Sequence, residues 1–175
     1  MGTVYIFRGK AATGKSTLAN MLAKKLSIPV LCKDDVVDAL KRSKNIDSGS
    51  INNEVCYNIL YKIIQTNLNL NTDFILDIAL GDRNNAKWFF ERLNFKNNKV
   101  LKFFIDCSDE DEWIKRHVER LHNPLPHQSF NSIEQVVKHY KKADVYPFED
   151  EFVIDSAESV EECFQRINEI IESST

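Results

Sequence analysis

The stretch RGKAATGKSTL, residues 8–18, contains two glycines that bracket four residues and are followed by a lysine and a serine. Gly9, Gly14, Lys15 and Ser16 satisfy the pattern G-x-x-x-x-G-K-[S/T]. An apolar run precedes the pattern and a helical repeat of leucines follows it. The stretch therefore predicts a buried strand, a glycine-rich loop and the first turns of a helix.

Such a loop is suited to an anion. Several free N–H groups point into one small volume at a helix N-terminus, and the helix dipole adds positive potential there. The loop predicts binding of a nucleoside triphosphate, with Lys15 on the outer phosphates and the Ser16 hydroxyl on Mg²⁺. The residues expected around the phosphates are Gly9, Lys10, Ala11, Ala12, Thr13, Gly14, Lys15, Ser16 and Thr17.

Five short apolar runs alternate with longer segments of helical periodicity. Near-continuous apolar runs are typical of strands buried on both faces of a parallel sheet. We predict a doubly wound α/β fold with five parallel strands, formed by residues 1–175 as a single domain. The predicted strands are Thr3–Phe7, Ile28–Cys32, Phe74–Leu80, Val100–Asp106 and Glu151–Asp155.

Helical periodicity predicts helices over Lys15–Leu26, Val36–Lys41, Ile51–Leu68, Asp109–Leu121 and Val160–Ile171. Two of them follow capping-box patterns, which begin at Ser108 and Ser159.

Composition narrows the class of protein. The chain has 175 residues and a formal net charge of −3. This negative charge argues against a protein that binds nucleic acid through the phosphate backbone. Its four cysteines form no C-x-x-C pair, and we interpret them as reduced core residues in a cytoplasmic protein. No apolar run reaches the length of a membrane helix, and the histidine spacing matches no zinc site. We expect a monomer or a homodimer.

The rest of the sequence separates the main classes of phosphate-loop protein. A GTPase would carry an N-K-x-D motif, and none is present. A mechanical ATPase would end a strand in adjacent acids, whereas the run FILDIAL carries Asp77 alone. These features favour a kinase.

The chain resembles the small P-loop kinases, a group that includes gluconate, shikimate and chloramphenicol kinases, zeta toxins and polynucleotide 5′-hydroxyl kinase. The resemblance rests on GKAATGKST, LCKDDVVDAL, FILDIALGD, VLKFFIDCSDEDEWIKRHVERLHNP and EFVIDSAES. It implies a P-loop fold of the nucleotide/shikimate kinase type, ATP and Mg²⁺ as cofactors, and a small helical lid at about residues 116–130.

The pair Asp34 and Asp35 follows the second predicted strand, at the edge where ligands gather in such sheets. In the resembling kinases the first acid of the pair is the candidate base for the acceptor hydroxyl, so Asp34 is our candidate. Asp35 is expected to cap the next helix. Some relatives carry an arginine three residues after the first acid, where this chain has Val37.

An acid within an apolar strand needs a partner. The resemblance places Asp77 at the second magnesium-binding position, beside Ser16, and the alternative is a carboxylate that caps a turn. Arg83, six residues further on, is a candidate substrate contact or a solvated side chain.

Arg116 and Arg120 are four residues apart and share one helix face. The resemblance implies that both arginines close over the triphosphate and stabilise the transition state. Local pairing is the alternative, since Glu112 lies four residues before Arg116 and Glu119 is adjacent to Arg120.

Together these features predict an ATP- and Mg²⁺-dependent transfer of a phosphoryl group to a hydroxyl of a small-molecule acceptor. Two alternatives stay open at this point. One is a kinase of nucleotides or of nucleic-acid 5′-ends, and the other is an ATP-binding regulatory module without an acceptor.

Overall fold

The computed structural model of the chain describes residues 1–43 and 53–174. Within them, five parallel strands form one sheet in the order β2-β3-β1-β4-β5. This confirms the predicted doubly wound parallel sheet. The strands are β1 (Thr3–Arg8), β2 (Val30–Cys32), β3 (Phe74–Ile78), β4 (Lys99–Asp106) and β5 (Glu151–Asp155).

Helices cover both faces of the sheet, which is why its central strands are mostly apolar, with Arg8 and Asp77 as buried charged exceptions. The helices are α1 (Lys15–Leu26), α2 (Lys33–Arg42), α3 (Asn53–Leu70), α4 (Arg83–Glu91), α5 (Glu110–His122), α6 (Ile133–Tyr140) and α7 (Val160–Ser173). None of the helices in the described ranges is long and apolar enough to cross a membrane.

Alternate residues of β1 enter two separate cores. Val4 and Ile6 pack with α3 and α4, whereas Tyr5 and Phe7 pack with α1 and α7. Each side chain in this set is less than a tenth exposed. Burial on both faces fixes the register of the central strands, and with it the position of whatever follows them.

The helix starts differ in part from the sequence predictions. Ser159 forms the expected capping box with Glu162. The predicted capping box at Ser108 is wrong, because Asp109 is the N-cap of α5 and accepts a hydrogen bond from Glu112 N–H. Asp35 is not a cap either, because α2 begins at Lys33 and Cys32 is its N-cap residue. The first residues of the expected helix Ile51–Leu68 lie outside the described ranges.

The strand register sets the place of the site. Asp77 on β3 lies beside Phe7 on β1 and beside Cys32 on β2. The glycine-rich loop begins at Gly9, and α2 begins directly after Cys32. Parallel strands bring their carboxyl ends to one edge, so the loop, Asp77 and the first turn of α2 meet there.

Candidate active site

The glycine-rich loop joins β1 to α1 and depends on its two glycines. Gly9 has φ = +149°, and a Cβ at this position would lie 2.0 Å from the Ile105 carbonyl oxygen. Gly14 is left-handed, with φ = +84°, and directly precedes α1. No side chain caps α1, and its first turn carries no acid. Its N-terminal N–H groups are therefore left for an anion.

Lys15 is buried at the start of α1, and its ammonium group donates a hydrogen bond to the carbonyl oxygen of Lys10. Burial lowers the pKa of Lys15, and the nearby carboxylates of Asp77 and Asp34 oppose that shift. The contact with Lys10 holds the end of the Lys15 side chain at the loop.

Lys10 and Thr13 shape the loop rather than face its interior. The Lys10 ammonium lies 3.0 Å from Asp106 Oδ1 and 4.5 Å from the centre of the Trp113 ring. The Thr13 hydroxyl donates to the Lys10 carbonyl oxygen at 3.0 Å. These contacts hold the backbone in the shape that its N–H groups need.

Asp77 is 4% exposed at the end of β3. Burial raises its pKa, while Lys15 and a hydrogen bond from the Ser16 side chain lower it. A hydroxyl and a carboxylate are oxygen donors, the ligands that Mg²⁺ prefers, and a cation there would stabilise the ionised carboxylate. The Ser16–Asp77 pair therefore fits a magnesium ion.

Asp34 lies in the first turn of α2 with its side chain partly exposed. Asp34 lies two residues after Cys32, which is paired with Asp77 in the sheet, and its charge acts on the pKa values of Lys15, Asp77 and Arg120. Asp35 is exposed, and Val37 is buried. Both charges act on the pKa of Asp77, but Asp34 is half-buried and contacts His127, whereas Asp35 is exposed.

The two arginines of α5 make different contacts. Burial lowers the pKa of Arg120, and the charges of Asp34, Tyr140 and Asp77 oppose that shift. Arg116 instead donates to Glu112 Oε1 at 3.0 Å and to the Ser156 carbonyl oxygen at 2.7 Å.

A cleft of about 560 Å³ opens beside the loop. Its walls are the loop and α1, the inner face of α5, and the turn between β5 and α7. Residues from each wall are Gly14, Thr17, Arg116, Arg120, Ser156 and Glu158. The cleft therefore joins the phosphate loop to the EFVIDSAES segment.

Arg83 stands apart from this group. It is the first residue of α4, and its guanidinium lies 5.2 Å from the centre of the Phe148 ring. Its backbone N–H donates to the Asp144 carbonyl oxygen. The expected contact of Arg83 with substrate stays a prediction. So does the lid at residues 116–130, of which residues 116–122 belong to α5.

Two aromatic side chains hold the middle of the loop and were not predicted. The Tyr140 hydroxyl accepts a hydrogen bond from Ala11 N–H at 2.8 Å, and Trp113 Nε1 donates to the Ala11 carbonyl oxygen at 2.8 Å. His117 packs edge-on against Trp113, and burial lowers its pKa to about 4. More than 100 residues separate Ala11 from either partner, so no local pattern could reveal these contacts.

His127 was also missed as a site residue. Its imidazole lies 3.4 Å from Asp34 and 3.2 Å from Asp38, counted between ring nitrogen and carboxylate oxygen. The segment that carries it joins α5 to α6 and has no helical pattern. Spacing along the chain gave only the negative result that the histidines match no zinc motif.

Comparison with known proteins agrees with this architecture. Residues 4–143 match the family model described as an AAA domain, so the chain belongs to that family. Comparison with curated proteins gives no match.

Solved structures share the whole fold. A candidate kinase from Chloroflexus aurantiacus J-10-fl is 16% identical with a TM-score of 0.75, and the match covers 96% of this chain and 97% of that one. The APS kinase of Mycobacterium tuberculosis, solved with AMPPNP and APS, is 15% identical (TM-score 0.64, 98% of each chain). A gluconokinase from Sinorhizobium meliloti 1021 is 13% identical (TM-score 0.61, 99% and 97%). The chain therefore has a kinase-like P-loop fold.

Proposed function

We propose that this protein is a cytoplasmic kinase that uses ATP and Mg²⁺ to phosphorylate a hydroxyl group of a small-molecule acceptor. The observation that carries the proposal is that the glycine-rich loop, Asp77 and the first turn of α2, which carries Asp34, meet at one edge of the sheet, with Arg120 in the wall of the cleft beside the loop. A protein that only bound a nucleotide would need the loop, but neither the Asp34 carboxylate in the first turn of α2 nor the half-buried Arg120 of α5.

The triphosphate would lie along the loop, held by the free N–H groups of α1 and by the Lys15 ammonium. Arg120 would neutralise negative charge that develops on the transferred group. Ser16 and Asp77 would hold the magnesium ion, whose chemistry is to neutralise charge on the outer phosphate oxygens. These groups position the phosphates and offset their negative charge without forming a covalent bond to them.

Asp34 would act on the acceptor. Its carboxylate faces Lys15 and Arg120 from the first turn of α2, where an incoming hydroxyl would meet the γ-phosphate. Asp34 would accept the hydroxyl proton as the oxygen attacks phosphorus.

Arg116 is assigned a different part of the nucleotide. Its guanidinium is fixed to Glu112 and Ser156 in the wall of the cleft, whose lining does not include Asp34. We place the nucleoside there, with Arg116 against it, and the phosphates at Arg120.

The acceptor is found by measuring ADP release from ATP–Mg²⁺ in the presence of sugars, sugar acids, nucleosides, amino sugars and hydroxyl-bearing antibiotics. A kinase shows turnover that one of these classes raises well above hydrolysis by water. Slow hydrolysis that no acceptor stimulates would instead favour the regulatory module. Stimulation by nucleotides or by nucleic-acid 5′-ends alone would favour the other alternative.

The base is tested with Asp34→Asn, which keeps the size of the side chain but cannot accept the proton. We expect turnover to fall by about 10²–10⁴-fold with little change in ATP affinity. Asp35→Asn is the matched control, because Asp35 is the neighbouring carboxylate and is exposed. Loss of turnover in Asp35→Asn with normal turnover in Asp34→Asn would show that the roles of the pair are reversed.

A further inference from the structure

His127 links the candidate base to a second carboxylate. Its Nε2 lies 3.4 Å from Asp34 Oδ2, and its Nδ1 lies 3.2 Å from Asp38 Oδ2. Asp34 and Asp38 are four residues apart on α2 and therefore share one face of that helix. The imidazole lies between them and comes from the segment that joins α5 to α6.

The chemistry of the ring fits a bridge. A neutral imidazole has one N–H, whereas the imidazolium has an N–H on each nitrogen. Nδ1 is at hydrogen-bond distance from Asp38 Oδ2, and Nε2 is at contact distance from Asp34 Oδ2. The ring therefore bridges the two carboxylates, one on each nitrogen.

The surroundings hold the imidazole in place. The side chains of His127, Asp34 and Asp38 are 24%, 30% and 20% exposed. Asp38 Oδ1 is buried and has no hydrogen-bond partner among the described residues, so its carboxylate depends on His127 for compensation. One residue before His127, the Pro126 carbonyl oxygen accepts a hydrogen bond from Lys41 Nζ at 2.8 Å. The segment is thus fixed to α2 at two adjacent residues.

We propose that His127 is a positioning residue for Asp34, fixed in turn by Asp38. The inference rests on the proposed function, since it assigns Asp34 as the base. His127 holds Oδ2 of Asp34, and this contact fixes the rotation of the carboxylate. Oδ1 of Asp34 is then left as the oxygen that would face an acceptor hydroxyl. A carboxylate that is already held in the reactive orientation loses less rotational freedom when the reaction occurs.

The experiment measures kcat and the KM for ATP of the full chain with Mg²⁺, with water as acceptor and with each acceptor that raises turnover. We expect His127→Ala to lower kcat by about 10–100-fold while the KM for ATP changes less than about twofold. His122→Ala is the matched control, because His122 is an exposed histidine at the end of α5. This control should keep the turnover of the unmodified protein.

Two Asp38 variants test the bridge itself. Asp38→Ala should lower kcat as much as His127→Ala, and the double variant should be no worse than either, because both changes break one chain of contacts. Asp38→Asn keeps an oxygen that can accept from Nδ1–H, so it should recover most of the lost kcat. Circular dichroism and thermal unfolding show whether each variant folds.

The outcomes separate this proposal from the proposed function. Normal or raised kcat in His127→Ala, together with an inactive Asp34→Asn, would overturn the role of His127 and leave the kinase assignment intact. So would a rise in the KM for ATP equal to the fall in kcat, since it would indicate a general disturbance of the site. Normal turnover in Asp34→Asn would remove the assigned base, and the role of His127 with it. No ADP release with any acceptor would contradict the kinase assignment.

Discussion

At the scale of single residues, the site is built around Lys15, a buried charge that the fold compensates in three ways. Its ammonium donates to the Lys10 carbonyl oxygen and faces the carboxylates of Asp77 and Asp34. Burial nevertheless lowers its pKa. A triphosphate in the loop would add a further negative charge beside this buried lysine.

We therefore expect Lys15→Ala to fold and to bind ATP–Mg²⁺ about 10²-fold more weakly, which is the loss of one charge-assisted contact of roughly 3 kcal/mol. Titration calorimetry measures the affinity. Lys24→Ala is the control, because Lys24 lies on the same helix but is exposed. Equal affinity of the Lys15 variant and the unmodified chain would refute the assignment of the phosphate loop.

At the scale of elements, the two arginines of α5 make different contacts and have different proposed roles. Arg116 and Arg120 are one helical turn apart, as the sequence predicts. Arg116 is bonded to Ser156 in the turn after β5, whereas Arg120 interacts electrostatically with Asp34 and Asp77. Both arginines line the cleft, so a single helix contributes both to its wall.

We expect Arg120→Ala to lower kcat by about 10²–10³-fold, because it removes a charge that stabilises the transferring phosphoryl group. Arg116→Ala should mainly raise the KM for ATP, because it removes a contact that is present before and during the reaction. Steady-state kinetics with the identified acceptor separate the two. The reverse pattern would exchange the roles of the arginines.

At the scale of the whole molecule, Arg8 joins parts of the chain that are far apart in sequence. It is fully buried at the end of β1 and forms a two-pronged ion pair with Glu151, at 2.7 and 2.6 Å. It also donates to the carbonyl oxygens of Leu80, Gly81 and Tyr146. Arg8, which directly precedes the glycine-rich loop, thereby holds the segment after β3 and the segment before β5 next to the end of β1.

The Arg8–Glu151 pair predicts a large cost for Glu151→Gln. The change leaves a buried guanidinium without its counter-ion, and we expect about 3–5 kcal/mol less free energy of unfolding. Asp150→Asn is the control, since Asp150 pairs with Lys102 at the surface and should cost less than about 1 kcal/mol. Urea unfolding measures both. Equal midpoints for the two variants would contradict the structural role of Arg8.

Prediction from sequence succeeded where the signal is local. The bounds of α1 are those predicted, because the glycine-rich loop marks its start and three leucines mark its buried face. The helices α4 and α6 were missed, because nine and eight residues offer too few turns for a clear period. Asp35 was misplaced as a cap because α2 begins three residues earlier than its apolar pattern.

The sequence by itself determined the phosphate loop, the alternation of strands and helices, and the five-stranded parallel sheet, because each is recorded in neighbouring residues or in a short period. Only the tertiary structure decided which side chains meet at the site. Tyr140 reaches Ala11 across 129 residues, and His127 reaches Asp38 across 89. Such contacts follow from how the connecting segments pack over the carboxyl edge of the sheet. Contacts between residues so far apart in sequence produce no repeating pattern of residue types from which they could be predicted.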